Sequence, residues 1–292
     1  MSRPASRRRG LLASRQEEPA LPTYRLTIEY EGTRYRGWQE QKNAPRTVAG
    51  ELRRALEEAA GTAVELGGSG RTDAGVHALG QVAHLRLSRR VDPEPFAHRV
   101  NDRLPADIHL LAVEPAGDRF HARHSAVARS YLYQVSRRRT ALAKRFVWWV
   151  REPLDVAAMA AAAADLAGRH DFRLFAADPE GRRSEKKSTL VVVESATVVA
   201  TGELVLVRVV ASHYLWKMVR RITGALVAVG NGEIDRAAFA ALVAGRPARR
   251  RGGAPFVPAE HTAPPSGLFL ERVLYPGDPP LGELVPAVPV RR

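Results

Sequence analysis

Apolar and polar residues alternate over Tyr24-Arg-Leu-Thr-Ile-Glu-Tyr30, the pattern of a strand with one buried face. Glu31-Gly32 ends it as a turn, and YRGWQEQ (35–41) follows. At Val48 the period changes. Val48, Leu52, Leu56 and Ala59 recur on one helical face with Arg and Glu opposite, and Gly61 stops the helix. Ala63–Leu66 predicts a short strand and QVAHLRL (81–87) another, with Ala83, Leu85 and Leu87 on one side. Between them runs GGSGRTDAGVHALGQ (67–81), so Asp73 falls on a loop between strands, where functional groups tend to be displayed. Phe96–Leu104 predicts a helix ending at Leu104-Pro105, followed by a strand at 108–113.

In the second half ARSYLYQVS (128–136) alternates, with Tyr131, Tyr133 and Val135 on one face. Residues 156–167 predict an Ala-rich helix striped by Val156, Met159, Ala163 and Leu166, with Gly168 as its cap. TLVVVESATVVA and ELVLVRVVAS flank Thr201-Gly202 as a long hairpin. HYLWKMVRRITGALVAVG (213–230) has the strongest helical period: Leu215, Met218, Val219, Ile222, Leu226 and Val229. A short helix runs from Asp235, as N-cap, to Gly245. The basic, Pro-rich stretch 246–265 reads as a loop. No internal repeat is visible in the sequence. This order of elements predicts an α+β fold of two similar-sized halves, with helices covering mostly antiparallel sheet. The expected divisions are a disordered basic tail (1–22), an N-terminal half (23–118), a C-terminal half (119–276) and a C-terminal tail (277–292).

Hydrophobic content of 45% and 26% charged residues is ordinary for a globular chain of 292 residues. The balance of charge is not. Lys and Arg number 45 against 31 Asp and Glu, a formal +14, which favours a polyanionic partner such as nucleic acid or an acidic membrane surface. There are no cysteines, so disulfides, zinc-thiolate sites and cysteine nucleophiles are excluded. The nine His show no familiar ligand spacing, and no metal site is expected. No apolar run reaches the ~18–20 residues of a membrane span. The Arg-rich N-terminus lacks the apolar core of a secretory signal; a disordered extension of a cytoplasmic protein is preferred to an organelle-targeting peptide.

Taken alone, the candidate residues read blandly. Arg71 and Asp73 suit a turn stabiliser and a surface ion pair. Tyr131 and Tyr133 are core aromatics by default, with a base-stacking platform as the alternative. Lys217, Arg220 and Arg221 make a solvated basic face or a set of phosphate contacts. YRGWQEQ suits RNA contact and equally an edge turn.

The motifs taken together say more. GSGRTDAGVHALGQVAH resembles the active-site motif of the TruA family of tRNA pseudouridine synthases. YEGTRYRGWQEQ is similar to that family's N-terminal strand and turn, and NDRLPADI (101–108) to its Asn…Leu-Pro-x-Asp-Ile segment. FHARHSAVARSYLYQV (120–135) resembles its Phe-x-Ala-Arg…Tyr-x-Tyr block, LWKMVRRITG (215–224) its Met-Val-Arg helix, and TAPPSGLFL (262–270) its closing strand. The blocks fall in family order across about residues 24–275. The sequence departs at Ala49, where the family usually has Gln. It also departs at Ser188–Val191, where Ser…Val-Arg is common, and in a longer, more basic 246–261 loop with Arg249, Arg250 and Arg251.

The resemblance implies two pseudo-symmetric halves whose sheets join into one central sheet flanked by helices, with a basic cleft between. It implies isomerisation of uridine in the tRNA anticodon stem-loop, at positions 38–40, by a cytoplasmic homodimer without a cofactor. Asp73 would be the catalytic carboxylate, and Arg71 would help flip the nucleotide. Tyr131 would stack on the target base, Arg220 would pair with Asp73, and Leu268 would line the pocket. The chemistry is consistent with these residue types. An adjacent guanidinium keeps a buried carboxylate ionised, and a stacked base must be flipped out to be reached. Gly70, Ala74 and Gly75 would leave room beside Asp73 for the RNA backbone. Two competing readings remain: an RNA binder or tRNA-folding chaperone without turnover, and a glycosylase, which would release the base.

Overall fold

The computed structural model describes residues 21–41, 46–177 and 188–290. The basic extension read from the sequence lies outside these residues up to position 20. In the first half the elements are β1 (Thr23–Tyr30), α1 (Val48–Ala60), β2 (Glu65–Gly68), β3 (His77–Arg86), α2 (Pro93–Asn101) and β4 (Ile108–Ala116). β1 lies between β4 and β3, antiparallel to both, and β2 pairs with β3. Tyr24, Leu26, Ile28 and Tyr30 of β1 are buried, as the alternation requires. They meet Leu52, Ala55 and Leu56 of α1 in one hydrophobic cluster. The Thr47 hydroxyl accepts the Gly50 N–H at 3.3 Å to open α1, and Gly61 closes it with φ +71°.

The second half contains β5 (Ala128–Ser136), β6 (Trp148–Trp149), α3 (Val156–Ala163), β7 (Gly168–Asp171), β8 (Leu190–Thr201) and β9 (Leu204–Ala211). It continues with α4 (Met218–Gly230), α5 (Arg236–Val243), a small ladder of β10 (Ala248–Arg249) and β11 (Pro255–Phe256), and β12 (Leu268–Leu274). The main sheet runs β4-β1-β3-β12-β5-β9-β8-β7, with β2 and β6 off this path. Among the described residues only the β12–β3 and β5–β6 pairings are parallel. The fold is therefore α+β with one large, mostly antiparallel sheet, as the sequence pattern predicts. β12 is the seam between the halves. Its Leu268 belongs to the cluster under α3, α4 and α5, and Leu270 belongs to the cluster under α1. Phe269 belongs to a third cluster with Leu132, Leu204 and Leu206.

Several boundaries differ from the sequence reading, each for a local reason. α2 starts at Pro93 rather than Phe96, because proline is pre-set for the first helical position. β3 starts at His77 rather than Gln81, which shortens the Gly-rich loop to 69–76. α4 starts at Met218 rather than His213. Lys217 has φ +60°, which breaks the helix, so Leu215 lies in the preceding turn. The 246–265 stretch contains the β10–β11 ladder, and Arg250 is tied back to Glu233 at 3.1 Å. The segment from 277 is laid on the sheet. Leu284, Ala287 and Val290 pack on the third cluster, and Gln134 bonds both the N–H and the carbonyl of Val288 at 3.3 Å.

Candidate active site

The loop 69–76 is fixed from both halves. The Tyr30 and Thr72 hydroxyls share a hydrogen bond of 2.7 Å, and the Trp38 N–H donates to the Thr72 carbonyl at 3.1 Å. Gln81 accepts from the Ser69 hydroxyl at 2.7 Å and donates to the Gly70 carbonyl at 3.3 Å. From β5, Arg129 reaches the Ser69 carbonyl at 3.1 Å and the Ser212 carbonyl at 2.9 Å. At the loop's exit His77 is buried and stacked on Phe269, with ring centroids 4.8 Å apart. Its Nδ1 accepts the Gly32 N–H at 3.0 Å, so Nε2 carries the hydrogen and donates to the Arg145 carbonyl at 2.9 Å. Burial pushes the imidazole below its usual range, and the Glu31 carboxylate 3.7 Å away faces a neutral ring.

This frame changes two readings. The aromatic residues of the YRGWQEQ segment are structural: Tyr35 and Trp38 are both buried, Tyr35 bonded to Asp107 and Trp38 to the loop at Thr72. Gly37, at φ +95°, brings its backbone so close that a Cβ would sit 2.6 Å from the Thr72 carbonyl oxygen. Gly75 also has an internal reason, since it holds φ +78° and a Cβ there would crowd Pro265 at 3.0 Å. Of the loop positions expected to leave room beside Asp73, Gly70 does face open space.

The Asp73 side chain is 27% exposed and projects toward the start of α4. Its Oδ1 accepts the indole N–H of Trp216 at 2.9 Å, and its Oδ2 lies 3.7 Å from Nη1 of Arg220. Arg220 is anchored in turn, its Nε donating to the Ala263 carbonyl at 2.6 Å. Tyr131 is half-buried and meets Tyr214 edge-on, with centroids 4.8 Å apart. Burial pushes the Tyr131 phenol up, and the nearby Tyr30 and the Asp73 carboxylate push it the same way. Tyr133 is core, as the default reading had it: its hydroxyl donates to the Pro264 carbonyl at 2.7 Å. Leu268 is buried opposite Tyr133 in the β12–β5 register, whereas the register partner of Tyr131 is Leu270.

Asp73, Tyr131 and Arg220 are thus brought together, and Leu268 lies two register positions from the pair that holds Tyr131. Arg71 is exposed on the loop, with no hydrogen bond or ion pair among the described residues. Sequence reasoning missed Trp216, Thr72 and Gln81 as parts of the site. The one available signal was an aromatic with a polar edge directly before a helix that carries Arg220. An open cavity of about 530 Å³ lies along the C-terminal half of α4, lined by Trp149, Gly224, Glu233 and His261; Asp73 is not part of it. Among the described residues no group of three or more His, Asp or Glu is placed to hold a metal ion. None of their helices is long and apolar enough to cross a membrane.

A family model described as tRNA pseudouridine synthase matches residues 26–125 and 162–276. The chain belongs to the tRNA pseudouridine synthase family. Its relatives place it in the TruA type of that family, a class of isomerases. A protein of Nitrobacter winogradskyi named tRNA pseudouridine synthase A is 41% identical over 264 residues, covering 89% of this chain and 98% of that protein. One of Methylococcus capsulatus with the same name is 41% identical, covering 86% and 89% respectively. A third, from Rhodopseudomonas palustris, is 42% identical over 263 residues, covering 87% of this chain and all of its own length.

Proposed function

We propose that the protein isomerises uridine to pseudouridine in the anticodon stem-loop of tRNA, at positions 38–40, with Asp73 as the carboxylate that starts the reaction. The observation that carries this reading is a carboxylate held between Trp216 and Arg220 beside the half-buried ring of Tyr131. The target nucleotide leaves the stack at a cost of roughly a few kcal/mol. Arg71, exposed on the loop, is suited to take its place, and Tyr131 offers the receiving face, with Leu268 as an apolar neighbour two register positions along. The C1′–N1 bond of the nucleotide breaks and a C1′–C5 bond forms. Carbon-5 gives up its hydrogen and N1 gains one, so the atoms balance with no cofactor. Asp73 acts at the ribose, by attack on C1′ or by removing a ribose proton to give a glycal. The positive charge of the chain, +14 overall, supports a tRNA partner held through its phosphates. Action as a cytoplasmic homodimer is part of the same reading and rests on the family resemblance.

The test uses tRNA transcribed with 5-tritiated uridine, from which isomerisation releases tritium. Wild type is expected to release it, and Asp73→Asn to lose release by at least about a thousandfold while binding tRNA within about threefold of wild type. Release by Asp73→Asn at the wild-type rate would overturn the role of Asp73. No release by wild type on several tRNAs that bind well would favour the RNA binder without turnover.

A further inference from the structure

We propose that Trp216 is a positioning residue for the Asp73 carboxylate, holding one oxygen so that the group presents a fixed edge to the incoming ribose. This rests on the reading of Asp73 given above. The indole Nε1 donates a hydrogen bond to Oδ1 at 2.9 Å, while the Arg220 guanidinium faces Oδ2 at 3.7 Å as an ion pair, so the two oxygens meet different residues. A carboxylate held at one oxygen still swivels about its last torsion, which is broad. A hydrogen bond to one oxygen with a positive charge facing the other favours a single orientation. The indole suits this task because it donates and cannot accept, so it brings no competing lone pair and adds no charge.

The backbone supplies a second, independent observation. Among the described residues Lys217 is the one non-glycine with φ in the left-handed region, at +60°. Such a conformation persists only where its surroundings impose it, and it tends to occur at functional sites. Here it turns the chain immediately after Trp216. The Trp216 carbonyl accepts the Ala177 N–H at 2.9 Å, and the Lys217 ammonium lies 4.6 Å from the indole centroid. Trp216 is nevertheless 42% exposed, so hydrophobic burial does not account for its place. The hydrogen bond to Asp73 does.

Trp216→Phe keeps an aromatic ring and deletes the N–H. It is expected to lower kcat for tritium release about tenfold, with KM for tRNA and the melting temperature near wild type. Trp216→His, which can again offer an N–H, should recover part of the loss. A readout independent of turnover is the ¹H–¹⁵N indole resonance that disappears in Trp216→Phe, which should shift in Asp73→Ala because its acceptor is gone. Wild-type kcat in Trp216→Phe would overturn this inference alone. So would an unmoved indole resonance in Asp73→Ala, or a loss confined to KM, which would make the ring an RNA contact. Inactivity of the wild-type protein would overturn the functional reading itself, and this inference with it.

Discussion

Replacing Arg220 with methionine removes a guanidinium from a carboxylate 3.7 Å away while keeping an unbranched side chain. At that separation two unit charges interact by about 4 kcal/mol at an effective dielectric of ~20, and by about 1 kcal/mol in bulk water. The side chains are 13% and 27% exposed, so neither limit applies. Screening puts the working value near ~2 kcal/mol. If that interaction holds the carboxylate ready at the reacting centre, its loss lowers kcat about 30-fold, since each ~1.36 kcal/mol is a factor of ten. Binding of tRNA, carried mostly by phosphate contacts, should change little. A separate loss is built into the same variant, because the Arg220 Nε–H also donates to the Ala263 carbonyl at 2.6 Å. A hydrogen bond to a charged group contributes ~1.5–3 kcal/mol to stability. Arg220→Lys separates the two: it restores the positive charge but has no N–H at the Nε position, which donates to the Ala263 carbonyl in arginine. It should recover part of the rate and little of the stability. Single-turnover tritium release reads the first effect and calorimetry the second. Wild-type kcat in Arg220→Met, or a lysine variant that regains stability but no rate, would refute the reasoning.

Two further outcomes concern the frame around the site. Glu271 accepts two bonds from Arg208, at 2.9 and 2.5 Å, and one from the Ser130 hydroxyl at 2.6 Å. Glu271→Ala leaves the guanidinium without its counter-charge in a site where the pair is only 11% and 14% exposed. Stripping one partner from a buried pair costs ~3–5 kcal/mol, so calorimetry should register a fall in Tm of roughly 10 °C, and a change under ~2 °C would contradict it. Burial holds His77, His84 and His121 below the ordinary imidazole range. The unfolded chain then binds more protons than the folded one below about pH 6.5, so this stability is present above that pH and lost as pH falls toward the folded values. Urea midpoints should drop between pH 7.5 and 5.5, and a flat midpoint across that window would speak against neutral burial.

What the sequence discloses is what its periodicity encodes. β1, the β8–β9 hairpin and most of α4 follow from period-2 and helical patterns, although β9 and α4 are buried on nearly every side. The start of α4 does not follow. Leu215 fits the stripe, but the chain breaks at Lys217, whose left-handed backbone leaves no mark in hydrophobicity. The β10–β11 ladder is hidden for the opposite reason: two-residue strands in a basic, Pro-rich stretch have no period to read. In the site, Asp73 and Tyr131 are visible through their motifs. Trp216 is not, since its bond spans 143 positions and depends on how the halves meet. The glycines carry two meanings that sequence merges. Gly68 leaves room for the Trp38 indole, where a Cβ would come within 2.4 Å, whereas Gly70 borders open space.

The strand that closes the site comes near the end of the chain. β12 enters between β3 and β5, parallel to β3 over just Phe269–His77 and Leu270–Ala78 and antiparallel to β5 along most of its length. In three consecutive residues it supplies all three hydrophobic clusters, so apolar burial on both sides drives this short parallel junction. The residues leading into it make three hydrogen bonds through their carbonyls, Ala263 with Arg220, Pro264 with Tyr133 and Ser266 with His77, and the Pro265 ring lies close to Gly75. Asp73 comes from the first half, whereas Tyr131, Trp216 and Arg220 come from the second, and neither half holds both the carboxylate and its donors. The geometry at Asp73 is therefore a property of the seam. Its donors reach it only when the two cores have docked across β12, which ties the precision of the site to the cooperativity of the whole fold.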